Sequence, residues 1–346
     1  MEDRFATNAR SDRGGNRSKH MLFPVRSHLI NLWSLSVGVA TAVMGCASFG
    51  EPTDHQVEHD IASDGSADAR SVVALSVTDG YGCKVTGDGT LKCWKADAPE
   101  FENVTSGNYM AVSSSIRPFP SDDGAHGHLC AVKDGGVVKC RGDNSEGESS
   151  PPDREFVDIA VGDGFSCGLT ADKQLHCWGR SYEGQLEAPG GKFDQICVGT
   201  LHACAIHTDQ TVSCWGYNDR GQADAPPGKF AKITAGNGFS CGIRPEGSAT
   251  CWGLNNSGQT KSPEGEFSRI AAGTDIACGL RDDRTVECWG GAPVEPKAPD
   301  DEYHLLDVGT RGHICGVTAE HDVVCWGLEL REDGETRIVP GAVPDI

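Results

Sequence analysis

The chain has 346 residues, of which 50 are acidic and 30 are lysine or arginine, so its formal net charge is −20 at pH 7. A negative charge of this size opposes binding to the phosphates of nucleic acid and to anionic membrane surfaces. High net charge also keeps a protein soluble, which is the simpler explanation. The remaining alternative for the charge is a cationic partner.

Residues 1–45 are predicted to be a signal region. Several basic residues up to Arg26 precede an apolar stretch from Leu29 to Met44, and small residues follow. A basic segment, an apolar segment and a small residue at the cleavage point describe an export signal. Met21 is an alternative start of translation, because the first 20 residues add nothing that such a signal needs.

The signal region ends in Val-Met-Gly-Cys, which resembles a bacterial lipobox with Cys46 as the lipidated mature N-terminus. A cell-envelope lipoprotein, in the outer membrane or at the surface, is therefore predicted, with the lipid as its membrane contact. An ordinary signal peptide, which would give a secreted protein, and an uncleaved anchor are the alternatives. At 16 residues, the apolar stretch is short for a membrane span. Residues 46–70 are predicted to be a linker.

Fourteen of the 16 cysteines fall into seven pairs, each with nine residues between the two cysteines. From the second pair onward, the first cysteine recurs every 37 residues. A fixed period in this range indicates a repeat architecture, in which each unit buries its apolar face on its neighbours. The pairs are Cys83 with Cys93, Cys130 with Cys140, Cys167 with Cys177, Cys204 with Cys214, Cys241 with Cys251, Cys278 with Cys288, and Cys315 with Cys325.

Apolar residues recur at period two in short runs, separated by Gly, Asn, Asp and Pro, and this pattern predicts strands joined by turns. Each Cys-x9-Cys segment is predicted to be an antiparallel hairpin. Between Cys167 and Cys177 the turn is centred on Asp172, which places the two cysteines opposite each other on one apolar face. Seven such units suggest a closed ring of blades, because closure removes exposed sheet edges.

The units also carry a family resemblance. Cys-Gly-Leu at 167–169, Cys-Trp-Gly at 177–179 and Asn-x-x-Gly-Gln at 218–222 resemble the repeat of the regulator of chromosome condensation superfamily. Members of that superfamily form seven-bladed propellers. The resemblance implies that residues 71–346 form an all-β, seven-bladed β-propeller, and we expect a monomer. It also implies that the tail after Trp326 completes a blade with a strand near Val72.

The compartment decides the chemistry of the cysteines. Outside the cytoplasm the seven pairs should be disulfides, whereas in a reducing cytosol they would be thiols. Reduced core cysteines and a metal site remain as alternatives, although no Cys-x2-4-Cys zinc motif is present. Cys197 is predicted to be a buried thiol. Histidines two residues before the first cysteine occur in three non-adjacent units, which favours packing over metal binding: His128, His202 and His313.

No catalytic residue, metal or cofactor is predicted, because the chain lacks the common nucleophile, zinc-protease and phosphate-binding motifs. Binding is expected in loops, since the blades repeat while the loops differ. Tyrosine and arginine often dominate interface energies. The candidate residues are Arg180, Tyr182, Tyr217, Arg220, Leu254 and Asn256 in the loops after Trp-Gly, and Arg117 and Phe119 in an insertion.

The predicted function is that of a non-enzymatic binding module that holds a protein ligand on one face of the propeller. The resemblance implies this role, because the superfamily includes exchange regulators and secreted inhibitors of hydrolytic enzymes. An inhibitor of an extracellular enzyme is the most specific form of the prediction. The alternatives are an extracellular hydrolase with a site at the channel mouth, which would need two carboxylates or a Ser/His pair, and a structural envelope protein.

Overall fold

The computed structural model describes residues 41–43, 46–48, 70–78, 81–95, 98–105, 107–115, 127–291, 297–309, 312–330, 336–338 and 341–342. Over these ranges the regular structure is β, with no α-helix and hence no helix that could cross a membrane. The candidate binding residues Arg117 and Phe119 lie outside the described residues.

Seven sheets each take three consecutive antiparallel strands from one repeat, in the order inner, middle, outer. Blade 1 contains β3 (Val72–Val77), β4 (Tyr81–Thr86) and β5 (Leu91–Lys95), and blade 2 contains β7 (Tyr109–Ser114), β8 (His128–Lys133) and β9 (Val138–Gly142). Blade 3 contains β10 (Asp158–Val161), β11 (Phe165–Leu169) and β12 (Leu175–Gly179), and blade 4 contains β13 (Phe193–Val198), β14 (His202–His207) and β15 (Val212–Gly216). Blade 5 contains β16 (Lys232–Ala235), β17 (Phe239–Ile243) and β18 (Ala249–Gly253), and blade 6 contains β19 (Arg269–Ala272), β20 (Ile276–Leu280) and β21 (Val286–Gly290). Blade 7 contains β22 (Tyr303–Val308), β23 (Ile314–Thr318) and β24 (Val323–Trp326).

Six further strands are added to this frame. Strands β1 (Thr41–Val43) and β2 (Cys46–Ser48) form a hairpin that joins the inner edge of blade 4, and β6 (Ala98–Thr105) joins the outer edge of blade 1. Strands β25 (Leu328–Leu330) and β26 (Thr336–Ile338) pair with each other. The tail was expected to complete a blade with a strand near Val72, but in its described residues the strand β27 (Gly341–Ala342) pairs with β24 of blade 7 instead.

The hairpins have the predicted register. Cys167 lies opposite Cys177, and the intervening turn places Lys173 in the left-handed region at φ 67° while Asp172 accepts a hydrogen bond from the Thr170 hydroxyl. All seven cysteine pairs are joined as disulfides, with Cα–Cα distances of 4.0 to 4.1 Å. Each bridge therefore fastens the middle strand of a blade to its outer strand.

The two cysteines of each pair differ in burial, although the sequence pattern placed both of them on one apolar face. The first cysteine lies on the middle strand and is buried in every blade. The second lies on the outer strand, where its side chain is only half-buried, because that strand is at or near the edge of the sheet. The half-buried cysteines are Cys93, Cys140, Cys177, Cys214, Cys251, Cys288 and Cys325. Each bridge therefore runs from the core toward the periphery of its blade.

Packing between blades closes the ring. Each of seven hydrophobic clusters joins one blade to the next. The closing cluster packs Val77 and Trp94 of blade 1 against Leu305 and Val317 of blade 7. The fold is a seven-bladed β-propeller.

The Cys-Gly-Leu motif has a packing role in the blade. Phe156, which opens the third unit, is 1% exposed, and a Cβ atom on Gly168 would overlap its ring. The fifth unit repeats the arrangement, with Phe230 lying over Gly242. Glycine at this position therefore makes room for the aromatic ring that fills the core at the start of each such unit.

Hydrogen bonds also link neighbouring inner strands. The residue opposite the first cysteine of a blade can accept a bond from the backbone of the next blade. Ser113 Oγ accepts from Val161 N at 3.1 Å, and Asp307 Oδ2 accepts from Val77 N at 2.6 Å. The second bond connects blade 7 to blade 1, so one carboxylate contributes directly to ring closure.

Replacement of Asp307 by alanine is expected to lower the free energy of unfolding by about 1–3 kcal/mol, because the Val77 amide is then left buried without an acceptor. Thr234→Ala is the matched control, since Thr234 occupies the same position in blade 5 and its buried hydroxyl has no hydrogen-bond partner in the structure. Urea unfolding at pH 7 compares the two variants. Equal losses in both would contradict the role assigned to Asp307.

Candidate functional site

The loops that follow the outer strands of blades 2 to 5 form the first candidate site. We call residues 143–150, 180–187, 217–224 and 254–261 the Trp-Gly loops, although in blade 2 Arg141 stands in place of the tryptophan. Their bases are held by hydrogen bonds that repeat from blade to blade. In the third of them, Asn218 Oδ1 accepts from Ala223 N at 2.8 Å and Gln222 Oε1 accepts from Arg220 N at 2.9 Å.

Each of these loops is also fastened to the next blade. Trp215 Nε1 of blade 4 donates to the Gln185 carbonyl in the preceding loop at 2.9 Å, and Trp252 Nε1 of blade 5 donates to the Gln222 carbonyl at 2.9 Å. The tryptophan and the Asn-x-x-Gly-Gln motif therefore build a rigid base, and the residues at the loop tips remain available to vary.

Tyr182 is the exposed aromatic side chain on these loops, at 73%. Its hydroxyl donates to Glu146 Oε1 of the neighbouring loop at 2.8 Å, and this bond raises the pKa of Tyr182. Arg180 is less available, because its guanidinium lies 3.3 Å from Asp163 Oδ2 and is only 22% exposed. An exposed ring next to a carboxylate is thus the main chemical feature of the blade 3 loop.

The loops of blades 4 and 5 carry the other candidates. Tyr217 is half-buried, and its hydroxyl donates to Asp219 Oδ2 at 3.1 Å, which raises the pKa of Tyr217. Arg220 and Asn256 are exposed, whereas Leu254 is half-buried against the hydrophobic cluster of blades 5 and 6. Of the predicted residues, Tyr182, Arg220 and Asn256 therefore offer the most accessible side chains.

Two of the predicted histidines form buried His–Ser pairs between blades. His128 Nε2 lies 2.7 Å from Ser166 Oγ, and His202 Nε2 lies 2.8 Å from Ser240 Oγ. All four side chains are fully buried. The first pair joins blade 2 to blade 3 and the second joins blade 4 to blade 5, so these histidines contribute to packing between blades.

The direction of the hydrogen bonds distinguishes these pairs from a catalytic dyad. Ser166 donates its proton to the Glu148 carbonyl at 3.2 Å, so the His128 Nε2–H must donate to the serine oxygen. A serine nucleophile needs the opposite arrangement, with the histidine as acceptor. The Nδ1 atoms of His128 and His202 are buried without a partner, and burial lowers the pKa of both histidines to about 4.

A second set of polar residues was missed by the sequence analysis. It occupies one position near the start of the inner strands in four consecutive blades. The residues are Asp158, Gln195, Lys232 and Arg269. The signal was available, because a polar residue precedes the isoleucine in each of these units.

The pKa values of two members of this set are shifted in opposite directions. Burial raises the pKa of Asp158 to about 8, and burial together with the charge of Arg269 lowers the pKa of Lys232 to about 8. Gln195 instead forms two hydrogen bonds to the backbone of Ile233 in blade 5, at 3.0 and 3.2 Å. No second carboxylate contributes to the raised pKa of Asp158.

One group of potential metal ligands occurs among the described residues, namely His313, Cys315 and Cys325. The two cysteines are joined to each other in a disulfide, so their sulfur atoms are not thiolates. The thiolate is the form of cysteine that binds a metal. These three residues do not form a metal centre in the oxidised protein.

The fold and the repeated motifs together define a class of protein. The family model described as the regulator of chromosome condensation (RCC1) repeat matches residues 156–185, 193–222 and 230–259, which belong to blades 3, 4 and 5. The chain is therefore a seven-bladed propeller whose blades 3 to 5 carry RCC1 repeats, as its motifs predicted. No curated protein sequence shows a significant match to the chain.

Solved structures show the same fold. The ectodomain of the receptor kinase CR4 from Physcomitrella patens has a TM-score of 0.59 at 21% identity, with 75% of this chain and 76% of that chain covered. The ectodomain of the receptor kinase ACR4 from Arabidopsis thaliana has a TM-score of 0.52 at 27% identity, with coverage of 66% and 88%. Prp20p from Saccharomyces cerevisiae has a TM-score of 0.54 at 15% identity, with coverage of 63% and 75%.

Proposed function

We propose that this protein is an exported, non-enzymatic propeller that binds another protein through its Trp-Gly loops. The observation that carries the proposal is Tyr182, an aromatic side chain 73% exposed on a loop whose base is held by hydrogen bonds. A rigid tyrosine supplies a large contact area at low entropic cost, which is why tyrosines are frequent at interfaces.

The similar structures support a binding role. The structure of Prp20p is reported together with the binding properties of that protein to Gsp1p and histones. A propeller of this repeat type can therefore serve as a protein-binding scaffold, and the chemistry of the loops decides the partner. Here the loops carry tyrosine hydroxyls bound to carboxylates and an exposed Arg220, so a protein surface with basic and aromatic groups would fit them.

Disulfides and the N-terminal region support export. Seven disulfides in one domain persist in oxidising compartments and are rare in the cytosol. The two receptor-kinase structures are ectodomains. The export signal predicted for residues 1–45 agrees with that location, and the lipid on Cys46 likewise stays a prediction of the sequence.

Affinity purification of the exported protein from an envelope extract tests the loop surface, with the retained partner then used in binding titrations. The variant Tyr182→Ala/Tyr217→Ala/Arg220→Ala is expected to bind this partner at least 30-fold more weakly, which corresponds to about 2 kcal/mol at an interface hot spot. The unfolding midpoint is measured in parallel and should stay close to that of the parent protein, because Tyr182 and Arg220 are exposed.

Val137→Ser is the matched control. Val137 is 48% exposed and precedes strand β9, whereas the Trp-Gly loop of that blade follows the same strand at its other end. The control should bind as tightly as the parent protein. Equal binding by the triple variant would refute the proposal, and selective weakening by Val137→Ser would place the binding surface on the opposite face.

A further inference from the structure

Two cysteines, Cys46 and Cys197, take no part in the seven disulfides within the blades. They are 151 residues apart in the sequence. The topology brings them together, because the N-terminal hairpin adds β2 to the inner edge of blade 4. In the antiparallel register of β2 and β13, Cys46 is directly opposite Cys197. Residues directly opposite in an antiparallel pair lie on the same face of a sheet.

The hydrogen-bond pattern shows which kind of pair this is. In blade 4, Gly199 N donates to the His202 carbonyl at 2.9 Å. Since hydrogen-bonded pairs recur every two residues along an antiparallel ladder, Cys197 and Cys204 also form a hydrogen-bonded pair. The N–H and C=O of Cys197 therefore point toward β14. On its other side, toward β2, Cys197 faces Cys46 in a non-hydrogen-bonded pair.

Non-hydrogen-bonded pairs are also the setting of the seven disulfides within blades. In blade 4, Tyr217 N donates to the Leu201 carbonyl at 2.9 Å, which makes Cys204 and Cys214, three positions further along, a non-hydrogen-bonded pair. That pair is bridged. Side chains approach more closely in such pairs, which suits the short Cβ–Cβ distance of a disulfide.

Cys197 occupies a position in its inner strand at which the other six blades carry no cysteine. The corresponding residues opposite the first cysteines of the other blades are Ser76, Ser113, Ala160, Thr234, Ala271 and Asp307. A cysteine thus occurs here in blade 4 alone, and among the described strands blade 4 is the one whose inner edge carries an added strand. Strand β2 also lies against the inner strands of blades 3 and 5, and β1 lies against those of blades 1, 2 and 7.

We propose that Cys46 and Cys197 form an eighth disulfide, which attaches the N-terminal segment to the inner edge of blade 4. The two thiols lose two protons and two electrons as the S–S bond forms. The acceptor is the disulfide of a thiol oxidoreductase of the export compartment, which is cleaved to two thiols and takes up both protons and both electrons. The bridge uses only the sulfur of Cys46, so it is compatible with cleavage of the signal peptide before that residue.

The eighth disulfide and the predicted lipid exclude each other at one sulfur atom. A lipidated cysteine carries its lipid on Sγ as a thioether, and a thioether sulfur cannot join a disulfide. In the proposed state the protein therefore carries no lipid on Cys46, and its N-terminal segment is held in the propeller. Cys197 is 0% exposed, so a bridge at this position is shielded from reductants in solution.

Mass mapping of the purified exported protein, without reduction and after alkylation in denaturant, tests the proposal. Cleavage after lysine and arginine leaves Cys197, Cys204 and Cys214 on one peptide, 193–220. Fragmentation between Cys197 and Cys204 must therefore assign the bond. The expected result is a peptide containing Cys46 linked to the Cys197 part of peptide 193–220, and no alkylated thiol. A lipid mass on Cys46, alkylation of either cysteine, or a Cys197–Cys204 bond would overturn the proposal.

Two variants, each lacking one cysteine of the proposed bridge, test whether the other cysteine becomes a free thiol. In Cys197→Ala, Cys46 should become the single cysteine that is alkylated, while the seven bridges within blades remain. In Cys46→Ala, Cys197 should be alkylated in denaturant and protected in the folded protein. Ala160→Ser, at the same ring position of blade 3, is the control and should leave the eighth bridge intact. Absence of a new thiol in both cysteine variants would refute the proposal.

Discussion

Reduction of the seven disulfides within the blades is expected to unfold the propeller at temperatures where the oxidised protein is folded. Each bridge closes a loop with a sequence separation of 10 residues. The chain-entropy estimate for a loop of this size is about 2–3 kcal/mol. Even at half that value, seven bridges contribute as much as the whole stability of an ordinary domain, about 5–15 kcal/mol. Thermal unfolding followed by circular dichroism, before and after reduction in urea and removal of the urea, measures the effect.

A single pair gives the matched control. The variant Cys204→Ala/Cys214→Ala, without reductant, should lose about 2–3 kcal/mol and remain folded at 25 °C. Alkylation must show that the fully reduced sample carries all its thiols free. An unchanged unfolding midpoint in that sample would show that packing between blades, rather than the bridges, determines the stability.

Acid is expected to destabilise the propeller through His128 and His202. Both histidines are neutral in the folded protein, with pKa values lowered to about 4 by burial, whereas in the unfolded chain they titrate near the ordinary value of 6.5. The unfolded state therefore binds more protons below pH 6.5, and stability falls as the pH is lowered from 6.5 toward 4. The expected loss at pH 4 is about 3 kcal/mol for each histidine.

Urea unfolding between pH 4 and 8 compares the parent protein with His128→Gln/His202→Gln. The difference in free energy of unfolding should be flat above pH 7 and should shift in favour of the variant below pH 6.5. The raised pKa of Asp158 affects both proteins alike and cancels in this difference. His176→Gln, which removes a half-buried histidine from β12, should show a much smaller shift. A difference independent of pH would contradict the buried neutral histidines.

Local chemistry made the repeat and its hairpins predictable. Strand alternation, the turn around Asp172 and the spacing of the cysteines all act within about ten residues, so they can be recognised without knowledge of the rest of the fold. The prediction for the tail after Trp326 was wrong, because pairing of β27 with β24 depends on a competition between two sheet edges that lie far apart in sequence.

The candidate site was predictable only in part. Loop variation indicated where Tyr182 and Arg220 would be exposed, but it could not show that Arg180 is held by Asp163 or that Leu254 packs against the core. Those contacts cross between loops or between blades. The set of polar residues that includes Asp158 and Lys232 was missed for a related reason. A polar residue at the start of a strand usually faces solvent, and the packing between blades that covers this set is not visible in the sequence.

The sequence by itself determined that the chain is a seven-unit β-repeat with one cysteine pair opposed across each hairpin, because each of those features repeats within one unit. The tertiary structure alone decided how the units close, with Asp307 bound to the Val77 amide and the Val77 cluster packed on blade 7. It also brought Cys46 opposite Cys197. Contacts between residues more than 100 positions apart leave no periodic signal in one sequence, since they are set by the packing of complete blades.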